Sequence, residues 1–224
     1  MAKRKVFISR HNDINLFYEE DFEFHFYTGF AISQKQKSIN ELHDKIIEKY
    51  PNSKILEVSS KSNNGLGVEL SAFNLQLKIE NKFYFIENIF QSSKKFEKGG
   101  PYKDLLYSTP IEAKKDVRLK NSGKLKLFVY RDKEWELQPL TFFYDWIYIN
   151  AVYQRKDLHR DICKYDIFTD IEFNDKKSIN CQARSLAIFV GLLKNNMLEK
   201  VLSSPEEFKK IYNLNVFKQL NFFD

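Results

Sequence analysis

Glu87, Gln91 and Lys94 fall at i, i+4 and i+7 of one segment. If the stretch from Ile86 to Phe96 is a helix, the three share a face and stack a carboxylate, an amide and an amine in one stripe. Ile86, Ile89, Phe90 and Ser93 supply much of the other side. Such a stripe could hold a ligand, move a proton or attack a carbon. The same spacing also describes the solvated side of an amphipathic helix, and spacing alone favours that plainer outcome. The segment follows an aromatic strand candidate and ends at Gly99-Gly100-Pro101, so a helix here is short and held at both ends. A second acid, Asp145, lies in Thr141-Phe142-Phe143-Tyr144-Asp145-Trp146. A carboxylate among aromatics is costly to bury unless it is paired or functional. It either faces solvent, bonds a buried group, or takes part in chemistry.

The elements that must position these residues read as short strands first and mostly helices afterwards, an α+β chain with a helical majority. Lys5 to Ser9, Phe22 to Tyr27 and Ile55 to Val58 are strand candidates. Ser38-Ile39-Asn40-Glu41 reads as a capping box opening a helix that carries Ile39, Leu42, Ile46 and Tyr50 on one face and stops at Pro51-Asn52. Ser59 to Gly67 is a polar loop directly after a strand; it is no recognised phosphate-binding glycine pattern, so by itself it reads as a surface turn. Leu75 to Phe85 reads as a hairpin around Glu80-Asn81-Lys82. Thr109-Pro110-Ile111-Glu112 carries the cap, the first-position proline and the acid of a second capping box, for a helix that runs to just before Gly123. Lys124 to Tyr130 reads as a strand, Thr141 to Gln154 and Ser178 to Asn195 as helices, and Ser204-Pro205-Glu206-Glu207 as the cap of a last short helix.

The chain has 224 residues, 43% of them hydrophobic and 16% aromatic, enough for one large core. No internal period, low-complexity tract or Ser/Gly linker divides it, so a single domain over residues 1–224 is expected. Its formal charge of +6 permits an anionic partner, but the lysines are scattered, and charge alone favours a solubilising surface. Cys163 and Cys181 lie in no metal-binding pattern, and His11, His25, His43 and His159 are dispersed, so neither a metal nor a cofactor is expected. The basic start is followed only by Val6-Phe7-Ile8, and no run of about 18 apolar residues exists, so a cytoplasmic protein without a membrane partner is expected.

Three elements resemble one family. Leu70-Ser71-Ala72-Phe73 is similar to an L-S-N-F element, and Glu87 to Phe96 to an E-H-Y-F-Q-A-x-K-F signature. Tyr107-Ser108-Thr109-Pro110-Ile111-Glu112-Ala113-Lys114 is similar to an S-P-x-E-A-K helix start. Their order and spacing are those of the NADAR family, also called YbiA-like. Asn88 stands where that family usually has His, and the usual late D-x-x-W-G element is missing. In its place stand Phe143 to Ala151, and later Asn180-Cys181-Gln182-Ala183-Arg184. These resemble a branch of NADAR proteins that act as antitoxins of DNA ADP-ribosyltransferase toxins. The resemblance is strongest over residues 58–191.

The resemblance implies a YbiA-like fold and an ADP-ribosyl glycohydrolase that removes ADP-ribose from guanine in DNA. ADP-ribosylated DNA would be its substrate, ADP-ribose its product, and a cognate ADP-ribosyltransferase toxin a possible protein partner. Two alternatives stay open: a metabolic N-glycosidase acting on phosphoribosylamino-pyrimidines, and a binder of ADP-ribose or DNA that does no chemistry. The catalytic candidates are Lys94, Glu87 and Asp145. In one route a neutral Lys94 amine forms a Schiff base with ribose C1, its pKa lowered by burial or by a neighbouring cation; on a helix Lys98 would share its face. In the rival route Glu87 and Asp145 work as a carboxylate pair with water, and Lys94 only binds phosphate or a hydroxyl. Candidates for substrate binding are Lys61, Ser62 and Ser71 for the diphosphate, Phe73 or Trp146 for base stacking, Gln91 beside Glu87, and Arg118 for phosphate. For Arg118 an exposed ion pair is the plainer role.

Overall fold

The computed structural model describes residues 1–9, 15–29, 31–176 and 178–213. In chain order its elements are β1 (Ala2–Ser9), β2 (Phe17–Phe24), α1 (Ile32–Lys49), β3 (Ile55–Glu57), α2 (Gly65–Glu69), β4 (Gln76–Ile79), β5 (Lys82–Phe85), α3 (Ile86–Ser92) and β6 (Lys94–Phe96). A 3-10 turn (Lys103–Tyr107), α4 (Pro110–Lys115), α5 (Arg118–Asn121), β7 (Leu125–Tyr130), β8 (Lys133–Trp135) and α6 (Phe142–Gln154) follow. Then come α7 (Lys156–Ile162), β9 (Ile167–Thr169), α8 (Gln182–Lys194), α9 (Leu198–Val201) and α10 (Pro205–Asn213). Helix outweighs strand among the described residues, as the α+β reading requires. The elements group into two compact units: Met1–Ser71 with the chain from Lys156 onward, and Ala72–Arg155.

The first unit is built on a sheet ordered β2-β1-β9-β3. β1 runs antiparallel to both neighbours, and β3 runs parallel to β9. Side chains alternate across a strand. Val6 and Ile8 of β1 therefore join Phe22, Phe24 and Ile167 in one cluster with Ile39, Leu42 and Ile46 of α1, as the spacing on that helix predicts. α8 packs on β1 and β9, and its Gly191 lies so close to Leu16 that a Cβ there would strike the Leu16 carbonyl oxygen. Two boundaries differ from expectation. β2 spans Phe17–Phe24 rather than residues 22–27, because its partner begins at Ala2, which pairs with Phe24. Helix α1 starts six residues before Ser38. That hydroxyl does not cap; it donates to the Gln34 carbonyl and accepts from the Tyr27 amide at 2.9 Å. α8 likewise begins at Gln182, four residues after the expected Ser178. Of the sequence features named above, His11 lies outside the described residues.

The second unit holds the β4–β5 hairpin and an antiparallel sheet ordered β6-β7-β8. Thr109 caps α4 as expected: its hydroxyl accepts from the Glu112 amide while the Glu112 carboxylate accepts from the Thr109 amide. The helix expected to run on to Gly123 breaks at Asp116, whose carboxylate takes the Arg118 amide at 2.8 Å and starts α5. Helix α6 is buried almost all round, with Phe143 stacked on Phe128 at 4.6 Å between ring centroids. Helix α3 is buried along its whole length.

The largest difference concerns the segment that carries the candidate stripe. Helix α3 ends at Ser92 and not near Phe96, and Lys94 is the first residue of β6, paired with Phe128 of β7. The hydroxyls of Ser92 and Ser93 both donate to the Ile89 carbonyl, at 3.1 and 2.7 Å. Such back-bonding offers the backbone an alternative to another helical turn, and β7 takes up the released chain, starting with the Val129 amide on the Ser93 carbonyl.

Candidate active site

Glu87 and Gln91 remain one helical turn apart on α3, and both are buried. Gln91 donates its Nε2 to Glu87 Oε1 at 2.7 Å. This bond fixes the amide orientation, since the reverse would set two acceptors against each other. It also leaves Gln91 Oε1 buried with no donor among the described residues. Buried acceptors of this kind are uncommon, and a ligand group is one means of satisfying them. Asn88, in the position where the motif has His, donates to the carbonyls of Leu105 and Ser108, both at 2.7 Å. It thereby holds the turn that leads into α4.

Lys94 comes to this helix from the strand and not from a third turn. On β6 the side chains alternate, with Lys94 half-buried, Lys95 exposed and Phe96 buried. The Lys94 ammonium lies over the Phe90 ring, 4.5 Å from its centroid. Burial pulls its pKa from 10.5 down to about 8; the charge of Lys114 pushes the same way and the Glu87 carboxylate opposes. The expected neighbouring cation therefore exists, but it is Lys114 of α4 and not Lys98, which lies beyond β6 and shares no helix face with Lys94. Gly100 packs against the Lys94 carbonyl at φ +74°, where a Cβ would clash, so only glycine leaves this strand in place.

Asp145 is fully buried on α6. The Thr141 hydroxyl donates to its Oδ2 at 2.7 Å, and the Asp145 amide donates to the Thr141 carbonyl. Phe143 and Tyr144, directly before it, pack on the same Phe90 ring that underlies Lys94, with Tyr144 edge-on at 5.2 Å. Trp146 is half-buried against Trp135, ring centroids 5.8 Å apart. Phe73 is half-buried with the Lys114 ammonium 4.8 Å from its ring centroid, so one of its faces already holds a cation. Arg118 is gripped by Asp116 and Asp104 and lies over Tyr102; those carboxylates raise its pKa further. Its guanidinium has the ion pairs that its plainer reading anticipates.

The remaining candidates belong to the first unit. Lys61 is half-buried and Ser62 is buried in the turn after β3. The amides of Lys61, Ser62, Asn64 and Leu66 are bound within that loop, by Ser59 Oγ, the Ser59 carbonyl, Ser62 Oγ and Asn64 Oδ1. Asn64 thereby caps α2, a feature the loop reading lacked. Ser71 is buried and donates to the Val68 carbonyl at 2.8 Å. The turn is anchored from below by Glu57, which accepts from the Thr169 hydroxyl at 2.6 Å and from the Ile171 amide at 2.8 Å. Among the described residues no group of three or more His, Cys, Asp or Glu side chains could hold a metal ion, and no helix is long and apolar enough to cross a membrane.

A family model described as the DarT1-associated NADAR antitoxin matches residues 2–221, nearly the whole chain. The chain belongs to this family. No curated protein matches it. Of the candidates drawn from the sequence of this NADAR antitoxin, Glu87 and Gln91 are bonded to each other and Glu87 acts on the charge of Lys94, while Phe90 and Lys114, which were not among the candidates, also border the Lys94 ammonium. Lys114 stands in the quoted helix-start motif, which was the available signal. Phe90 reads as a core residue, and only the strand geometry of Lys94 reveals its cation-facing role.

Proposed function

We propose that this antitoxin is an ADP-ribosyl glycohydrolase that frees ADP-ribose from guanine in DNA and so reverses the action of a cognate DarT toxin. The observation that carries the reading is a half-buried lysine whose amine is substantially neutral near pH 8, set beside a buried carboxylate. Neutral amines are nucleophiles toward imines, and burial beside a cation is how such lysines are tuned. A ribose joined to an exocyclic amine is a glycosylamine. Its ring opens to a protonated imine at C1, with the ring oxygen taking a proton. The Lys94 nitrogen lone pair adds to C1, a proton passes from that nitrogen to the base amine, and the base departs with the bonding pair. Water then adds to the Lys94 iminium, and cleavage of the C–N bond returns the amine and yields ADP-ribose. Glu87 is the acid/base for the first transfers and Asp145 the candidate for the second set. Gln91 holds Glu87 and offers its unpaired carbonyl oxygen to a sugar hydroxyl. Phe73 and Trp146 are proposed to meet the bases, and Lys61, Ser62, Ser71 and Arg118 the phosphates. The single family match across both compact units supports their acting as one domain.

The test is direct. The protein is incubated with a guanine-ADP-ribosylated oligonucleotide, and free ADP-ribose and restored guanine are followed by mass spectrometry. Stoichiometric release with many turnovers is expected. Turnover of phosphoribosylamino-pyrimidines in place of the oligonucleotide would assign a metabolic role, and tight binding without release a purely sequestering one.

A further inference from the structure

We infer that the surface formed by the end of β6 and the α4–α5 segment is a docking ridge for single-stranded polynucleotide, which receives the phosphates flanking the modified base. The inference rests on the reading of Lys94 as the centre of a reaction on nucleic acid. The lysines are scattered along the chain, but the net charge is not. Residues 94–126 hold ten Lys or Arg against four Asp or Glu, so the whole formal charge of +6 resides in this stretch and the rest of the chain is balanced.

The four acids of the stretch are already engaged. Asp104 and Asp116 bind Arg118, Glu97 binds Lys126 and the Lys124 amide, and Glu112 closes the cap on Thr109. Lys98, Lys115, Lys120 and Lys124 are exposed, with no carboxylate within ion-pair distance among the described residues. Elsewhere many lysines are matched, such as Lys3 with Asp21, Lys35 with Glu172, Lys164 with Asp161 and Lys194 with Asp166, while those unmatched among the described residues, such as Lys37, Lys54 and Lys200, lie in a part of the chain whose charge is balanced. Lys98 and Lys124 lie on two backbone-paired segments. The Lys98 amide donates to the Ser122 carbonyl and the Glu97 amide to the Lys124 carbonyl, both at 3.0 Å, with Gly123 at φ +81° making the turn between. Lys98 is four residues from Lys94. Unmatched cations in a stretch that carries the net positive charge suit a polyanion, whose condensed counterions they release. The single strand is favoured by burial: Glu87 and Gln91 are almost fully covered and Lys94 is half-buried, so the modified nucleotide must leave the stack to reach them, and that costs least in a single strand.

The test uses the full chain and an unmodified single-stranded oligonucleotide of about 20 nucleotides, longer than one single-strand-binding domain covers. Binding is read by fluorescence anisotropy over a salt series. Lys98→Gln/Lys120→Gln/Lys124→Gln is compared with Lys37→Gln/Lys54→Gln/Lys200→Gln, which removes the same charge from exposed positions of the first unit. Matching circular dichroism and melting temperatures show that both variants fold. The ridge variant is expected to raise Kd about tenfold or more near 0.1 M salt and to lower the salt slope by about 2, near 0.7 per lost phosphate contact; the control variant changes little. Equal losses in the two variants overturn the ridge. Equally tight binding of a duplex overturns the single-strand assignment, and an equal ridge-dependent affinity for polyglutamate overturns the polynucleotide assignment. Because this DNA carries no ADP-ribose, failure of the proposed reaction leaves the result readable. Conversely, unchanged oligonucleotide turnover and binding in the ridge variant sinks the ridge alone.

Discussion

Replacing Lys94 by alanine is expected to lower ADP-ribose release by on the order of 10³-fold or more, the scale of a group that acts in the transition state. Lys94→Arg gives no rescue, because a guanidinium does not lose its proton in a protein. In the unaltered protein the rate should climb with pH through about 8 and level off above it, since attack needs the neutral amine and its pKa lies there. The same displacement has a stability consequence. With a folded pKa of about 8 below the unfolded 10.5, the unfolded chain binds more protons between those values, so stability rises with pH across that window. At pH 7 the penalty is present in full, about 3 kcal/mol if the whole displacement is counted. Lys94→Met should therefore melt at a higher temperature than the parent at pH 7 while being inactive. Calorimetry at pH 7 and 10 with parallel assays checks both signs. Release within tenfold of the parent in Lys94→Ala would remove Lys94 from the chemistry.

The second large effect is expected at Glu87. Glu87→Gln keeps an oxygen for the Gln91 amide to bond, so the change is one of charge and proton transfer. The Glu87 carboxylate holds the Lys94 pKa up; without it the amine titrates below about 8. If Glu87 moves protons, release falls by on the order of 10²-fold or more at every pH even as the midpoint of the profile moves to lower pH. Were Glu87 only an electrostatic neighbour, the rate near pH 7 would instead rise, because more of the amine would be neutral. The pH profile of kcat/KM for parent and variant separates these outcomes.

What could be read from the sequence was what is local. The Thr109 capping box, the hairpin, the aromatic helix α6 and the face of α1 carrying Ile39, Leu42 and Ile46 all depend on residues within a few positions of each other. The Glu87–Gln91 pair belongs with them, being one turn of one helix. The path of Lys94 depends on β7, some thirty residues away, and periodicity through Phe90 and Ser93 continued smoothly past the true helix end. A local clue was present in Ser92-Ser93, two hydroxyls able to bond back to Ile89. Ser38 misled in the opposite direction: its pattern matches a cap, but Tyr27 and Gln34 claim the hydroxyl. Phe90 beneath the amine and Lys114 beside it are matters of tertiary placement, which spacing along the chain does not encode.

The most direct measurement of the central claim is borohydride trapping during turnover. The protein is mixed with guanine-ADP-ribosylated oligonucleotide, reduced, digested and mapped by mass spectrometry. A reduced ADP-ribose adduct on the Lys94 peptide, absent without substrate and absent in Lys94→Ala, is the predicted result. Full turnover with Lys94 left unmodified would contradict it and leave Glu87 and Asp145 to work with water.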